Sequence, residues 1–196
     1  LGGDGTGRVT VDNAAGGSAN QGTKENPFTS LAAAEAAIQD NDILYIHQGA
    51  GTAGMNAGIT LNKQNIMMIG SGADLVYDQS RFSTSNGASA NAMMIIPKTS
   101  NPVITNITGS GVTVLGSNAY LTGFTVDGAA GDGILVRADN SALGSIVIDN
   151  VSSLNNRIGI YLHGLNNGSM SAKVQNSVTI SNRQHGMAVY DDTSGS

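Results

Sequence analysis

The chain has 196 residues, enough for one domain with a sizeable core. Its 27 Gly and 20 Asn stand beside only 4% aromatic and 12% charged residues, where an average domain carries about 25% charged. A formal net charge of −5, with nine Lys and Arg scattered singly, leaves no basic stripe and excludes a nucleic-acid partner. Mean hydropathy of −0.03 and no apolar run of about 18 residues exclude a membrane-spanning helix. Cys is absent, which removes disulfides, thiolate metal sites and cysteine nucleophiles together, and the 40% hydrophobic content argues against wholesale disorder.

The chain opens at Leu1 without a signal peptide or tag and reads as a mature or excised piece. Arg8 to Asp12 alternate apolar and polar residues and predict a short strand. A Gly, Ser and Asn loop leads to Pro27, and Ser30 to Gln39 follow as the one helix, with Thr29 or Ser30 as N-cap and Leu31, Ala34 and Ile38 as its apolar stripe. From Asp42 onward only short β-branched runs recur, at 43–46, 59–61, 66–69, 93–96, 112–115, 124–126, 134–136, 146–148, 160–162, 178–180 and 187–189. Gly, Asn, Asp or Ser separates them. The division expected is an N-terminal strand, loop and capping helix over 1–41 and repeated coils over 42–196, as one continuous domain.

The runs repeat. Asp132-Gly-Ile-Leu-Val-Arg137, Ile158-Gly-Ile-Tyr-Leu-His163 and His185-Gly-Met-Ala-Val-Tyr190 set one pattern at Gly133, Gly159 and Gly186, with spacings of 26 and 27. Asn150 to Asn155 and Ser177 to Asn182 superpose 27 apart. A repeat of this length with tiny strands and no helix predicts an all-β parallel β-helix, its coils stacked at about 4.8 Å. About 150 residues at about 25 per coil predict about six coils. Gly and Asn would supply the left-handed corners that branched side chains resist.

The opening resembles that of bacterial right-handed parallel β-helices of the pectin-lyase-like superfamily. The resemblance rests on Val11-Asp-Asn13, Gly22-Thr-Lys-Glu-Asn-Pro-Phe28 before the helix, and Asp42-Ile-Leu-Tyr-Ile-His-Gln-Gly49, and over 8–190 it extends to the coil pattern. Gly49 to Leu61 and Ile69-Gly-Ser-Gly72 add a narrower likeness to β-helix passengers of inverse-autotransporter-like outer-membrane proteins. One departure is Asn41, where the pattern has Gly. The resemblance implies a right-handed solenoid with a short N-terminal capping helix, in a secreted or cell-surface structural or adhesive module. It also implies a rival reading, since many relatives of the fold are polysaccharide lyases or glycoside hydrolases.

Glycoside hydrolysis needs two carboxylates on one face. The repeat carries Asp127, Asp132, Asp139, Asp149, Asp191 and Asp192, with Glu only at Glu25 and Glu35. Gln184-His185-Gly186 and Asn156-Arg157-Ile158 are faintly similar to polygalacturonase motifs, but the paired Asp191 and Asp192 follow the His instead of preceding it. A lyase would need calcium carboxylates and a basic group. Asp127 and Asp132, flanking Gly128 to Gly131, are the weak calcium candidates, with Arg137, Arg157 and Arg183 as cations, and Asp-Gly corner chemistry is the preferred reading of the pair. Gly2 to Gly7 is half of a calcium nonapeptide in single copy. His47, His163 and His185 lack metal-ligand spacing. The sequons at Asn106, Asn150 and Asn167 are what an Asn-rich chain produces by chance. No catalytic residue, resident metal or cofactor is expected.

Alternation predicts Ile134, Val136, Ile160, Leu162, Met187 and Val189 inward. Leu135, Tyr161 and Ala188 then form one outward column, and Arg137, His163 and Tyr190 the next. Tyr161, Arg137, His163 and Tyr190 are the candidate ligand residues, for a glycan or a cell-surface partner. The repeat is still in rhythm at Met187-Ala-Val189 with no cover after it, so two alternatives stand: the native chain continues with further coils, or copies stack end to end into an oligomer or filament.

Overall fold

The structure, a computed structural model, describes residues 8–11, 22–23, 26–49, 54–77 and 93–192. Gly2 to Gly7, Asp12, Glu25, Ala50 to Ala53 and the closing Thr193 to Ser196 lie outside them.

The elements are β1 (Arg8–Val11), α1 (Leu31–Ala37), β2 (Ile43–Ile46), β3 (Ile59–Leu61), β4 (Met67–Gly70), β5 (Leu75–Tyr77), β6 (Met93–Ile96), β7 (Val103–Ile104), β8 (Val112–Val114) and β9 (Tyr120–Thr122). They continue as β10 (Thr125–Asp127), β11 (Ile134–Asp139), β12 (Ala142–Asp149), β13 (Ser152–Leu154), β14 (Ile158–Leu165), β15 (Ser169–Gln175), β16 (Val178–Ile180) and β17 (His185–Asp192). Apart from β5 and β6, every strand joins one of three parallel sheets. The first runs β1-β2-β4-β9-β12-β15, the second β7-β10-β13-β16 and the third β3-β8-β11-β14-β17. The chain visits them in rotation, which makes a parallel β-solenoid of about five turns.

The corners account for the Asn content. Among the described residues, nine of the ten non-glycine residues with positive φ are Asn. Asn41, Asn65, Asn118, Asn140 and Asn167 each stand two residues before a strand of the first sheet, and Gly123, Asn150 and Asn176 two residues before a strand of the second. Gly128, Asn155 and Ser181 close the second-sheet strands. Asn tolerates the left-handed region better than other side chains, and its amide also stacks. Asn65 Nδ2 donates to Asn41 Oδ1 at 2.8 Å, and Asn118 Nδ2 to Asn65 Oδ1 at 2.9 Å. The departure at Asn41 is therefore one rung of a ladder.

One core fills the solenoid, from Phe28 through Leu44, Ile46, Leu61, Met68, Val114, Leu121, Phe124, Val136 and Ile148 to Leu162. Glycine lets the coils approach where the repeat demands it: a Cβ on Gly133 would fall 2.6 Å from the Gly159 carbonyl oxygen. About five turns replace the six expected because residues 75–77 and 93–96 pair with each other and add no rung. β5 and β6 pair antiparallel, so Met93–Ile96 is a hairpin strand and not a rung. Leu75 and Ile96 pack with Tyr45, Met67 and Ile69 in a second apolar cluster. Runs such as Ile43–Ile46 are apolar at every position because the inner residues face the core and the outer ones face this cluster.

α1 is shorter than the expected Ser30 to Gln39. Ser30 caps it, accepting from Ala33 N at 3.3 Å, and Ile38 turns to extended backbone. Leu31, Ala34 and Ile38 enter the core, closing its N-terminal end. The helix also blunts the edge of the third sheet, for the Thr60 backbone N–H in β3 donates to Glu35 Oε2 at 2.8 Å. Glu35→Ala is expected to lower stability by about 0.5–1.5 kcal/mol in urea denaturation, and Glu35→Gln, which keeps an acceptor, by less.

Candidate ligand-binding face

The third sheet carries the candidate residues on its outer surface. Parallel register sets Leu135 beside Tyr161 and Tyr161 beside Ala188, then Arg137 beside His163 and His163 beside Tyr190. Both columns are those that alternation predicts. Ile134, Val136, Ile160 and Leu162 are buried on the opposite side. Met187 and Val189 continue those inward columns by register, yet they are 47% and 71% exposed, because β17 belongs to the last coil among the described residues.

Three rings assemble on the face. Tyr161 and His163 stack with centroids 4.8 Å apart and planes 19° apart, and His163 meets Tyr190 edge-on at 5.5 Å. Burial, and after it the Asp132 carboxylate, raises the Tyr161 phenol above its ordinary pKa, so the ring stays neutral. At the other end of the column, the Arg137 Nε is buried without a hydrogen-bond partner among the described residues.

The two remaining candidate cations are clamps. Arg157 grips Asp132 with both ends of its fork, Nε to Oδ1 at 2.9 Å and Nη2 to Oδ2 at 2.8 Å. These hydrogen bonds hold the Arg157 guanidinium above its usual pKa. Arg183 reaches back two coils, its Nη2 donating to the carbonyls of Ala130 at 2.7 Å and Ala129 at 3.3 Å.

Asp127 and Asp132, the weak calcium candidates, have their side chains engaged by the neighbouring coil. Asp132 is 1% exposed, with both oxygens engaged by Arg157. Asp127 Oδ1 accepts from Asn155 Nδ2 at 2.8 Å. Asp139 with Asn166, at 2.9 Å, and Asp149 with Asn176, at 2.8 Å, repeat that bond at the other corners. A carboxylate before each corner thus ties its coil to the Asn of the next. Among the described residues no three His, Cys, Asp or Glu side chains gather where they could hold a metal ion. His47 lies against Tyr45, at a ring distance of 4.7 Å. His163 and His185 stand in different columns of the third sheet.

Sequence reasoning missed Asn156. It is fully buried: Oδ1 accepts from Ala129 N at 2.8 Å, and Nδ2 donates to Ser153 Oγ at 2.9 Å and Val126 O at 3.3 Å. Asn182 repeats the role one coil on, accepting from Asn156 N at 2.9 Å. The signal was present in the 26-residue spacing of the two Asn. The sequon residue Asn106 is buried too, its side chain closing the turn through Ser110 O and the N–H groups of Thr108 and Gly109.

Protein-family models, curated proteins and solved structures were all compared with the chain, and none matches.

Proposed function

We propose that this protein is a non-catalytic structural and adhesive module, secreted or displayed on a cell surface, whose third sheet offers Tyr161, Arg137, His163 and Tyr190 to a glycan or a surface partner. The observation that carries the reading is the division of labour among its polar groups. Arg157, Arg183, Asp127, Asp132, Asp139 and Asp149 are engaged in coil-to-coil bonds, while Arg137 is half-buried beside an aromatic ladder, its buried Nε making no hydrogen bond among the described residues. Stacked rings supply a flat apolar plate for a sugar face, and a guanidinium recognises a carboxylate or sulfate through paired donors. An acidic glycan therefore fits the face best.

The surface setting, and the finer assignment to a passenger of the pectin-lyase-like type, rest on the resemblance of the opening residues. The parallel solenoid is consistent with that assignment. Such a module works as a rigid spacer, each coil holding its neighbours through backbone ladders and corner amides.

The test is binding of acidic oligosaccharides by titration calorimetry. Replacing Arg137, His163 and Tyr190 together with Ser is expected to weaken binding at least about tenfold with unchanged circular dichroism. Absence of binding by the unmodified chain would overturn the glycan reading. Release of unsaturated product or new reducing ends from an acidic polysaccharide, lost in Asp127→Asn or Arg137→Ser, would establish the enzyme reading in its place.

A further inference from the structure

We infer that the third-sheet face selects a glycan with a single acid group, held by Arg137, and neutral sugars over His163 and Tyr190, and that it discriminates against polyuronates. This rests on the glycan reading above and assigns the charge pattern of its ligand.

Arg137, His163 and Tyr190 form one column across three successive coils. Register sets Arg137 of β11 beside His163 of β14, and His163 beside Tyr190 of β17. Parallel strands lie about 4.8 Å apart, close to the advance of one pyranose in an extended chain. The His163 and Tyr190 ring centroids, 5.5 Å apart, keep the same step. A ligand that meets all three residues therefore crosses the strands, with one sugar to each coil. Toward α1 the neighbouring column passes from Leu135 to Thr113 of β8 and Thr60 of β3, which bring neither ring nor charge.

Charge is unevenly spread over these three coils. Arg157 is held by Asp132 and Arg183 by the Ala130 carbonyl, so Arg137 is the uncommitted guanidinium among the three. Its Nε is buried, which leaves the two terminal Nη groups to grip an acid end-on. The next outward positions along the strands are acidic: Asp139 follows Arg137 by two residues, and Asp192 follows Tyr190 by two. Leu165 stands between them, in register with both. Neither carboxylate has a cation partner among the described residues, where Arg157 with Asp132 makes the one ion pair. After burial and Asp132, the Asp192 charge is among the causes that hold the Tyr161 phenol high, so its field reaches the rings.

A second acid on the ligand, over the ring of Tyr190, would stand about 7 Å from Asp192 by strand geometry. That is inside the Debye length of about 8 Å at physiological salt, so the repulsion is felt. A neutral sugar at the same place meets the ring without that repulsion.

Titration calorimetry at pH 8, which keeps histidine charge out of the comparison, tests the inference with defined ligands. These are cellotriose carrying one glucuronic acid at its non-reducing end or at its reducing end, unmodified cellotriose, and trigalacturonate. One of the singly acidic trisaccharides should bind at least about tenfold tighter than both cellotriose and trigalacturonate. Tyr190→Ser should weaken that trisaccharide to the affinity of the singly acidic disaccharide. Asp192→Asn, an exposed substitution, should narrow the gap to trigalacturonate at least about threefold, as should higher salt. Trigalacturonate binding as tightly as the singly acidic ligands, or a gap unmoved by Asp192→Asn, would overturn the inference and leave the glycan reading standing. Absence of binding by every acidic ligand would overturn both together.

Discussion

Asn156→Ala is expected to destabilise the fold by about 3–5 kcal/mol, a loss spread over three broken bonds, two of them to backbone groups of the coil before it. Ala129, whose N–H it accepts, is itself fully buried, so no water replaces the amide oxygen. The Val126 carbonyl and the Ser153 hydroxyl lose a donor in the same step, and Ser153 keeps only its bond to the Gly159 carbonyl, at 2.7 Å. Asp in place of Asn would keep the acceptor but remove both donated bonds and bury a charge, so Asn156→Asp should be no milder. Asn182→Ala is the informative comparison. It breaks the equivalent bonds to Asn156 N and Ser153 O, but from the half-exposed last coil, where solvent substitutes, and should cost about 1 kcal/mol. Urea midpoints measure both losses. Hydrogen exchange at the Ala129 amide should accelerate in Asn156→Ala and remain slow in Asn182→Ala.

Arg157→Ala should be the second largest, at about 2–3 kcal/mol. It leaves the Asp132 carboxylate, 1% exposed, with neither of its two hydrogen bonds. Stranding one member of a buried ion pair costs about 3–5 kcal/mol, and the figure here is lower because the Arg157 side chain is 44% exposed and already screened. The cost lies in the abandoned charge. Adding Asp132→Asn to Arg157→Ala should therefore recover part of the loss in urea denaturation, whereas independent sites would show additive losses. Because Asp132 and Asn156 adjoin the same corner, Arg157→Ala and Asn156→Ala should combine to less than their sum.

The coil rhythm was legible because it rests on strict spacing. Gly133 and Gly159 recur because the carbonyl oxygen of the next repeat's glycine occupies the space a Cβ would need, and at Gly186 the Thr179 hydroxyl occupies it; the register between β11, β14 and β17 follows directly. The helix was legible from its cap and stripe. Two strands of the first sheet escaped notice for opposite reasons. β15 puts only Met170, Ala172 and Val174 inward among polar residues, and β9 offers just three residues. The hairpin was misread because an apolar run looks the same whether it faces the core or covers an outer face. Only the antiparallel pairing of β5 with β6 separates the two.

For the candidate face, alternation was sufficient to draw the columns of Tyr161 and of Arg137, His163 and Tyr190, since side chains in a strand can point only two ways. Which cations on or near it are engaged was not legible. Arg137, Arg157 and Arg183 look alike in composition, and the contrast among them lies in what sits one or two coils away. Asp132 lies 25 residues before Arg157, and the Ala130 carbonyl 53 residues before Arg183.

By itself, then, the sequence determined the repeating backbone: left-handed Asn and Gly corners and small apolar residues at alternate positions specify a coil and its stacking, because both are local constraints restated every 26 or 27 residues. The tertiary structure decided everything that depends on a neighbour in the next coil. It assigned Asp127 and Asp132 to staples, left the buried Arg137 Nε without a hydrogen bond among the described residues and set Leu75 and Ile96 of the β5–β6 pair against the outside of the first sheet. Burial and pairing are properties of stacked coils, and no single coil contains them.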